Sequence, residues 1–167
     1  MNMGQALIIG FGNQDRGDDG VAYHVVNAVR TALGQAALPA DETGLEALGA
    51  GKVESVFLLQ LVPELLDVLA GYELIIFVDA HVQEGTDAVY CHAVSPRHVA
   101  AIFSHHLSPA MLLALLAALY GKEPAAYLVS IRGWDFSFCR GLSPASAALV
   151  PQACACILGL LSGGKKE

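Results

Sequence analysis

The sequence predicts an α/β protein: a single three-layer α/β/α domain with a mostly parallel five-stranded sheet and one antiparallel edge strand. Three observations carry that expectation. Apolar runs of strand length alternate with stretches of helical period, in the order βα(loop)βαβ(β)αβα. The run Leu74–Val78 is continuously apolar, as suits a central strand covered on both faces. The first strand runs into Gly10, Gly12 and Asn13 and then into Asp18 and Asp19, so that two carboxylates reach a helix start at the carboxyl edge of the sheet.

Taken in order, the first strand spans about Gln5–Gly10, and a polar loop leads to a helix from about Asp18 to Leu33. Val21, Val25, Val29 and Leu33 share one face of that helix, and Gly34 ends it. Residues 35–51, rich in Ala, Gly, Pro and acids, read as a loop with one helical turn around Leu45. A second strand covers about Lys52–Leu59, and Pro63 opens a helix to Leu69 that Gly71 closes. The third strand, Glu73–Asp79, ends in an acid. Gly85-Thr86 then turns the chain into the edge strand, Ala88–Val94. Ser108-Pro109 is an N-cap and first-turn pair for a helix to Tyr120, stopped by Gly121. Ala126–Arg132 is the fifth strand. Ser143-Pro144 repeats the cap signal for a last helix to about Leu161, and residues 162–167 are expected to fray.

At 167 residues, 54% hydrophobic and 15% charged, residues 1–167 are expected to form one domain with a real core and no disordered character. The longest purely apolar run, Ala110–Tyr120, is eleven residues, short of the roughly 18 that span a bilayer. MNMGQ carries no positive residue, so no signal peptide is expected, and the expected setting is cytoplasmic, away from membranes. Net charge is −7 with nine scattered Lys and Arg, which argues against a nucleic-acid partner. The four cysteines show no CxxC spacing, and on a helix Cys154 and Cys156 would sit about 200° apart. They read as buried thiols in a reducing compartment.

The chemistry-bearing candidates are few. An acid at a helix start caps backbone N–H groups, but two adjacent ones, Asp18 and Asp19, exceed what capping needs. Asp79 ends the most hydrophobic strand, where a carboxylate is costly unless solvated, paired or metal-bound. His105-His106 precedes the Ser108-Pro109 cap in a loop expected at the same edge, and His81 is a rival two residues beyond Asp79. His24 reads as a surface or satisfied core residue, while His92 and His98 have no supporting context. Two carboxylates and one imidazole from three loops suit a borderline divalent metal such as zinc or nickel. There is no HExxH, no GxSxG and no activated nucleophile. GFGNQD is not a dinucleotide fingerprint, because Asp15 holds the third glycine position.

In order and spacing, GFGN at residues 10–13, Asp18-Asp19-Gly20-Val21, Leu59-Gln60-Leu61-Val62-Pro63-Glu64-Leu65, Val78-Asp79-Ala80 and Ser104-His105-His106 resemble the nickel–iron hydrogenase maturation endopeptidases. The QLVPEL stretch is most similar to members that process soluble, cofactor-reducing hydrogenases. The resemblance implies a monomeric hydrolase that removes the C-terminal extension of a hydrogenase large-subunit precursor after nickel insertion. Substrate nickel would be the recognition element, with no tightly bound cofactor of the enzyme's own and with zinc or cadmium able to occupy the site. The catalytic and metal-contacting set implied is Asp19, Asp79 and His106, with Gly12, Asn13 and Asp18 against the substrate. The family often has Glu where this chain has Asp19, which leaves Asp18 as a fallback ligand, and His105 beside His106 is a second alternative. Asp19, Asp79 and His106 would hold the scissile peptide through the nickel, a positioning effect, or a metal-polarised water would attack with Asp18 or Asp19 as base. Two other classes fit the same residues: a non-catalytic chaperone that binds a metal-loaded precursor without shortening it, and a metal-dependent small-molecule hydrolase that turns over without a protein partner.

Overall fold

The computed structural model describes residues 4–85, 87–97 and 106–164. Its strands are β1 (Ala6–Phe11), β2 (Val53–Leu58), β3 (Leu74–His81), β4 (Val89–Ala93) and β5 (Ala125–Arg132). The helices are α1 (Val21–Ala32), α2 (Leu66–Leu69), α3 (Pro109–Tyr120), α4 (Pro144–Ala147) and α5 (Val150–Leu161). They form one five-stranded sheet in the order β2-β1-β3-β5-β4, parallel except for the β4–β5 edge pair. This is the α/β/α sheet the sequence predicts.

The period of two along β1 divides the core. Ala6 and Ile8 pack with Val21, Val25 and Val29 of α1 and with Ala153 and Ile157 of α5. Leu7 and Ile9 face the other way, onto Leu66 and Leu69 of α2 and Leu112 and Leu116 of α3. α1 and α2 therefore cover opposite faces, as right-handed crossovers require when the chain first steps from β1 to β2 and then back across to β3. Gly10 lets α1 come close: a Cβ there would lie 2.8 Å from Val26 Cγ2 and 3.2 Å from the Ala22 carbonyl oxygen.

Several expectations need correction. The first helix does not begin as an α-helix at Asp18, because Gly17–Gly20 form a 3-10 turn before Val21. The helix after Pro63 is likewise a 3-10 turn, Pro63–Leu65, followed by the single turn of α2. The last helix is two, α4 and α5, divided at Ala148 and Leu149; Pro151 sits in the first turn of α5, where its missing N–H is tolerated. By length and composition Pro144–Leu161 would span a bilayer, yet Ala153, Ile157, Leu160 and Leu161 are core residues. Cys139 is exposed and Cys91, Cys154 and Cys156 only half-buried, so the expectation of four buried thiols does not hold. Residues 165–167 of the expected tail, with His98 and His105, lie outside the described residues.

The chain leaving β1 goes to β2 on one side, while the chain leaving β3 crosses to the other side, to β4 at the far edge. The two strands are hydrogen-bonded neighbours, in register from Ala6 with Leu74 to Gly10 with Val78. Their carboxyl ends thus flank a switch point, where open α/β sheets form a crevice.

Candidate functional site

A cleft of about 440 Å³ opens at that switch point. Gly12, Asn13 and Asp19 line it from the β1–α1 loop, Asp79 from β3, and His106 from the approach to α3. A second cleft of about 380 Å³, between β4 and α5, is lined by apolar side chains, two cysteines and Gln152, with no carboxylate or imidazole.

Local chain geometry sets Asp19. Gly12 has φ of 147°, and a Cβ there would lie 2.0 Å from the Asp19 carbonyl oxygen, so only glycine permits this approach. Asn13 N then donates to Asp19 Oδ2 at 2.8 Å. The Asn13 side chain accepts from Asp15 N at 2.9 Å, an Asx turn that shapes the loop. Asp19 itself is half-buried at the end of its 3-10 turn.

Asp79 is half-buried at the sheet edge, in register with Ser130 of β5, whose hydroxyl donates to Asp79 Oδ1 at 2.7 Å. Burial pushes its pKa up from 3.8 to about 6, and the negative charge of Asp19 adds to the rise against the opposing Ser130 bond. Two carboxylates close enough to sense each other thus face one cleft.

Asp18 does not share it. Its side chain is fully buried, with Oδ2 accepting from Trp134 N (2.8 Å), Asp135 N (2.9 Å) and Ser143 Oγ (2.7 Å), and Oδ1 from Ser143 N (2.7 Å). Burial alone would raise its pKa, but these donors hold it below the ordinary carboxylate value. Asp18 is therefore a clamp between the β1–α1 loop and the segment after β5, and neither a substrate contact nor a fallback ligand. Gly17 N on the Cys139 carbonyl (2.8 Å) and Asp18 N on the Asp135 carbonyl (2.8 Å) join the same two segments.

His106 is exposed at the cleft rim, just before the Ser108 cap, whose Oγ accepts from Met111 N at 3.2 Å. Among the described residues no three His, Cys, Asp or Glu side chains converge closely enough to hold an ion. The structure thus brings Asp19, Asp79 and His106 to one cleft without closing them around a point. His81 does not reach it: Nδ1 lies 3.0 Å from Ser130 Oγ, and among the described residues Nε2 is buried without a partner. Burial and the nearby Arg132 charge lower its pKa. His24 is exposed on α1, edge-on to Tyr23. Two neighbours of the acids carry no sequence motif: Arg16, an exposed cation on the cleft wall, and Ser130. Arg16 is the one base in the loop between Gly12 and Asp18.

The fold is the α/β/α fold of solved structures of hydrogenase maturation endopeptidases. The similar solved structures include the hydrogenase maturating endopeptidase HybD from E. coli, with 21% identity, TM-score 0.69, and 95% of this chain and 93% of that one covered. An endopeptidase from Escherichia coli matches with 22% identity and TM-score 0.66 over 98% and 95% of the two chains. The [NiFe] hydrogenase maturation protease HycI from Thermococcus kodakarensis matches with 16% identity and TM-score 0.63 over 95% and 92%. No family model and no curated relative matches the chain.

Proposed function

We propose that this protein is an endopeptidase that removes the C-terminal extension of a nickel–iron hydrogenase large-subunit precursor, using nickel already seated in that substrate as its recognition element. The observation that carries the reading is the pairing of Asp19 and Asp79 in the switch-point cleft, in a fold shared end to end with hydrogenase maturation endopeptidases. Two carboxylates at one open site repel each other, and a divalent cation brought by the substrate relieves that repulsion. His106 at the rim adds a nitrogen donor that suits nickel.

In this reading Asp19, Asp79 and His106 grip the substrate's metal centre and so hold the scissile peptide, a positioning effect. Gly12 and Asn13, whose backbone forms one wall, lie against the extension. Arg16 on the same wall offers a charge-assisted donor to a peptide carbonyl or carboxylate.

The test is intact-mass analysis of a cognate precursor, with and without nickel, after incubation with the protein. A discrete C-terminal loss from the nickel-loaded form alone is expected. Loss from both forms removes nickel as the trigger, and stable binding without shortening of either replaces the peptidase with a chaperone.

A further inference from the structure

We propose that Ser130 is the positioning residue that holds the Asp79 carboxylate against Asp19 across the cleft, with His81 fixing the Ser130 hydroxyl from behind. The inference rests on the peptidase reading of this cleft. Ser130 is 1% exposed, too deep to touch a substrate. It stands at the β5 position in register with Asp79, on the sheet face that otherwise buries Ile75, Phe77 and Ala126. A hydroxyl on that face is costly unless bonded.

The bonding has a direction. The single Ser130 O–H is donated to Asp79 Oδ1 at 2.7 Å. The 3.0 Å contact with His81 Nδ1 must then be His81 N–H donating to Ser130 Oγ, which assigns the Nδ1–H tautomer to the ring. Among the described residues, His81 Nε2 is left as a buried lone pair without a partner. The chain runs His81 to Ser130 to Asp79.

Asp19 shows the same pattern from the other side. Asn13 N holds its Oδ2, and among the described residues its Oδ1 has no protein donor, just as Asp79 Oδ2 has none. Each acid is tethered by one oxygen, and both acids line the cleft. The tethers matter because two like charges at close range would otherwise rotate apart. Ser130 supplies for Asp79 what a backbone N–H supplies for Asp19, and holding such oxygens in place before the substrate arrives is how supporting residues sharpen a site.

The experiment compares full-length Ser130→Ala, which deletes the hydroxyl without adding bulk, with Ser130→Thr, which keeps it. With nickel-loaded precursor, kcat/KM is expected to fall about 10- to 100-fold for Ser130→Ala and to stay within about threefold of wild type for Ser130→Thr, with folded far-UV spectra for both. Wild-type turnover by Ser130→Ala, or equal losses in both variants, overturns the proposal. Should wild type leave the precursor uncut, the peptidase reading falls, and a crystal structure of Ser130→Ala still decides the positioning claim. An Asp79 carboxylate rotated away from Asp19 sustains it, and an unmoved one overturns it.

Discussion

Ser143 meets the Asp18 carboxylate twice, through its N–H on Oδ1 and its hydroxyl on Oδ2, each at 2.7 Å, while the same hydroxyl oxygen caps α4 by accepting from Ser146 N at 3.2 Å. Asp18→Asn turns one acceptor oxygen into a donor facing donors, so at least one buried N–H or O–H loses its partner. Stability is expected to fall by about 3 kcal/mol, a drop in Tm of roughly 6–12 °C for a domain of this size. Ser143→Ala should cost about 1–2 kcal/mol, and the double variant less than the sum of the two. Urea titrations of the four proteins measure this, and an Asp18→Asn protein as stable as wild type would refute the clamp.

Asp79 has the opposite sign. With its pKa raised from 3.8 to about 6 in the fold, the folded chain holds more protons than the unfolded chain between those values. Stability contributed by this residue is thus greatest at low pH, falls as pH rises from 3.8 to about 6, and is flat above. Asp79→Asn should remove that slope and raise stability at pH 7.5 by about 2 kcal/mol once screening by cleft water is allowed for, while abolishing precursor cleavage. Such a trade of stability for activity is common at reactive sites. Thermal melts of both proteins from pH 4 to pH 8 give the answer, and parallel curves would be the contrary result.

Gly12→Ala should disable the cleft through Asp19. A methyl group 2.0 Å from the Asp19 carbonyl oxygen, on backbone with φ of 147°, forces the loop to open and breaks the Asn13 N–Asp19 Oδ2 bond. A loss of at least about 2 kcal/mol is expected, with cleavage lost even at temperatures where the variant is folded. Wild-type cleavage by Gly12→Ala would show that this close approach is dispensable.

Gly159 offers the reverse case. It lies exposed within α5, and a Cβ there meets nothing within 4 Å. Gly159→Ala should therefore stabilise the protein by about 0.5–1 kcal/mol, through a better helix former and a less flexible unfolded chain. A denaturation midpoint at or below that of wild type would mean the apolar cleft beside β4 does not accept the methyl group.

The sheet was legible because its evidence is local: apolar runs, glycine stops and Ser-Pro caps lie within a few residues of what they specify. The switch-point edge was legible for the same reason, since Gly12 follows the end of β1, Asp19 lies in the turn before α1, and Asp79 lies near the carboxyl end of β3, which runs two residues past it to His81 rather than ending there. The difference between Asp18 and Asp19 was not. Both are acids at one turn, and what separates them is a set of donors 116 to 125 residues further along the chain. Ser130 is silent for a related reason: a serine in a strand acquires meaning only through its register with Asp79. The split between α4 and α5 did have a local sign in Pro151, but the continuous apolar pattern across it masked the break.

One consequence of the Asp18 clamp and the Asp79 tether concerns how the protein is made. Both acids are translated within the first half of the chain, yet their anchors, Ser130 and the Trp134–Ser143 segment, come in its last quarter. A ribosome that has passed residue 120 has made every acid of the cleft and none of these partners. Because such distant contacts form late, a nascent chain stopped before residue 130 holds the carboxylates without the donors that place them.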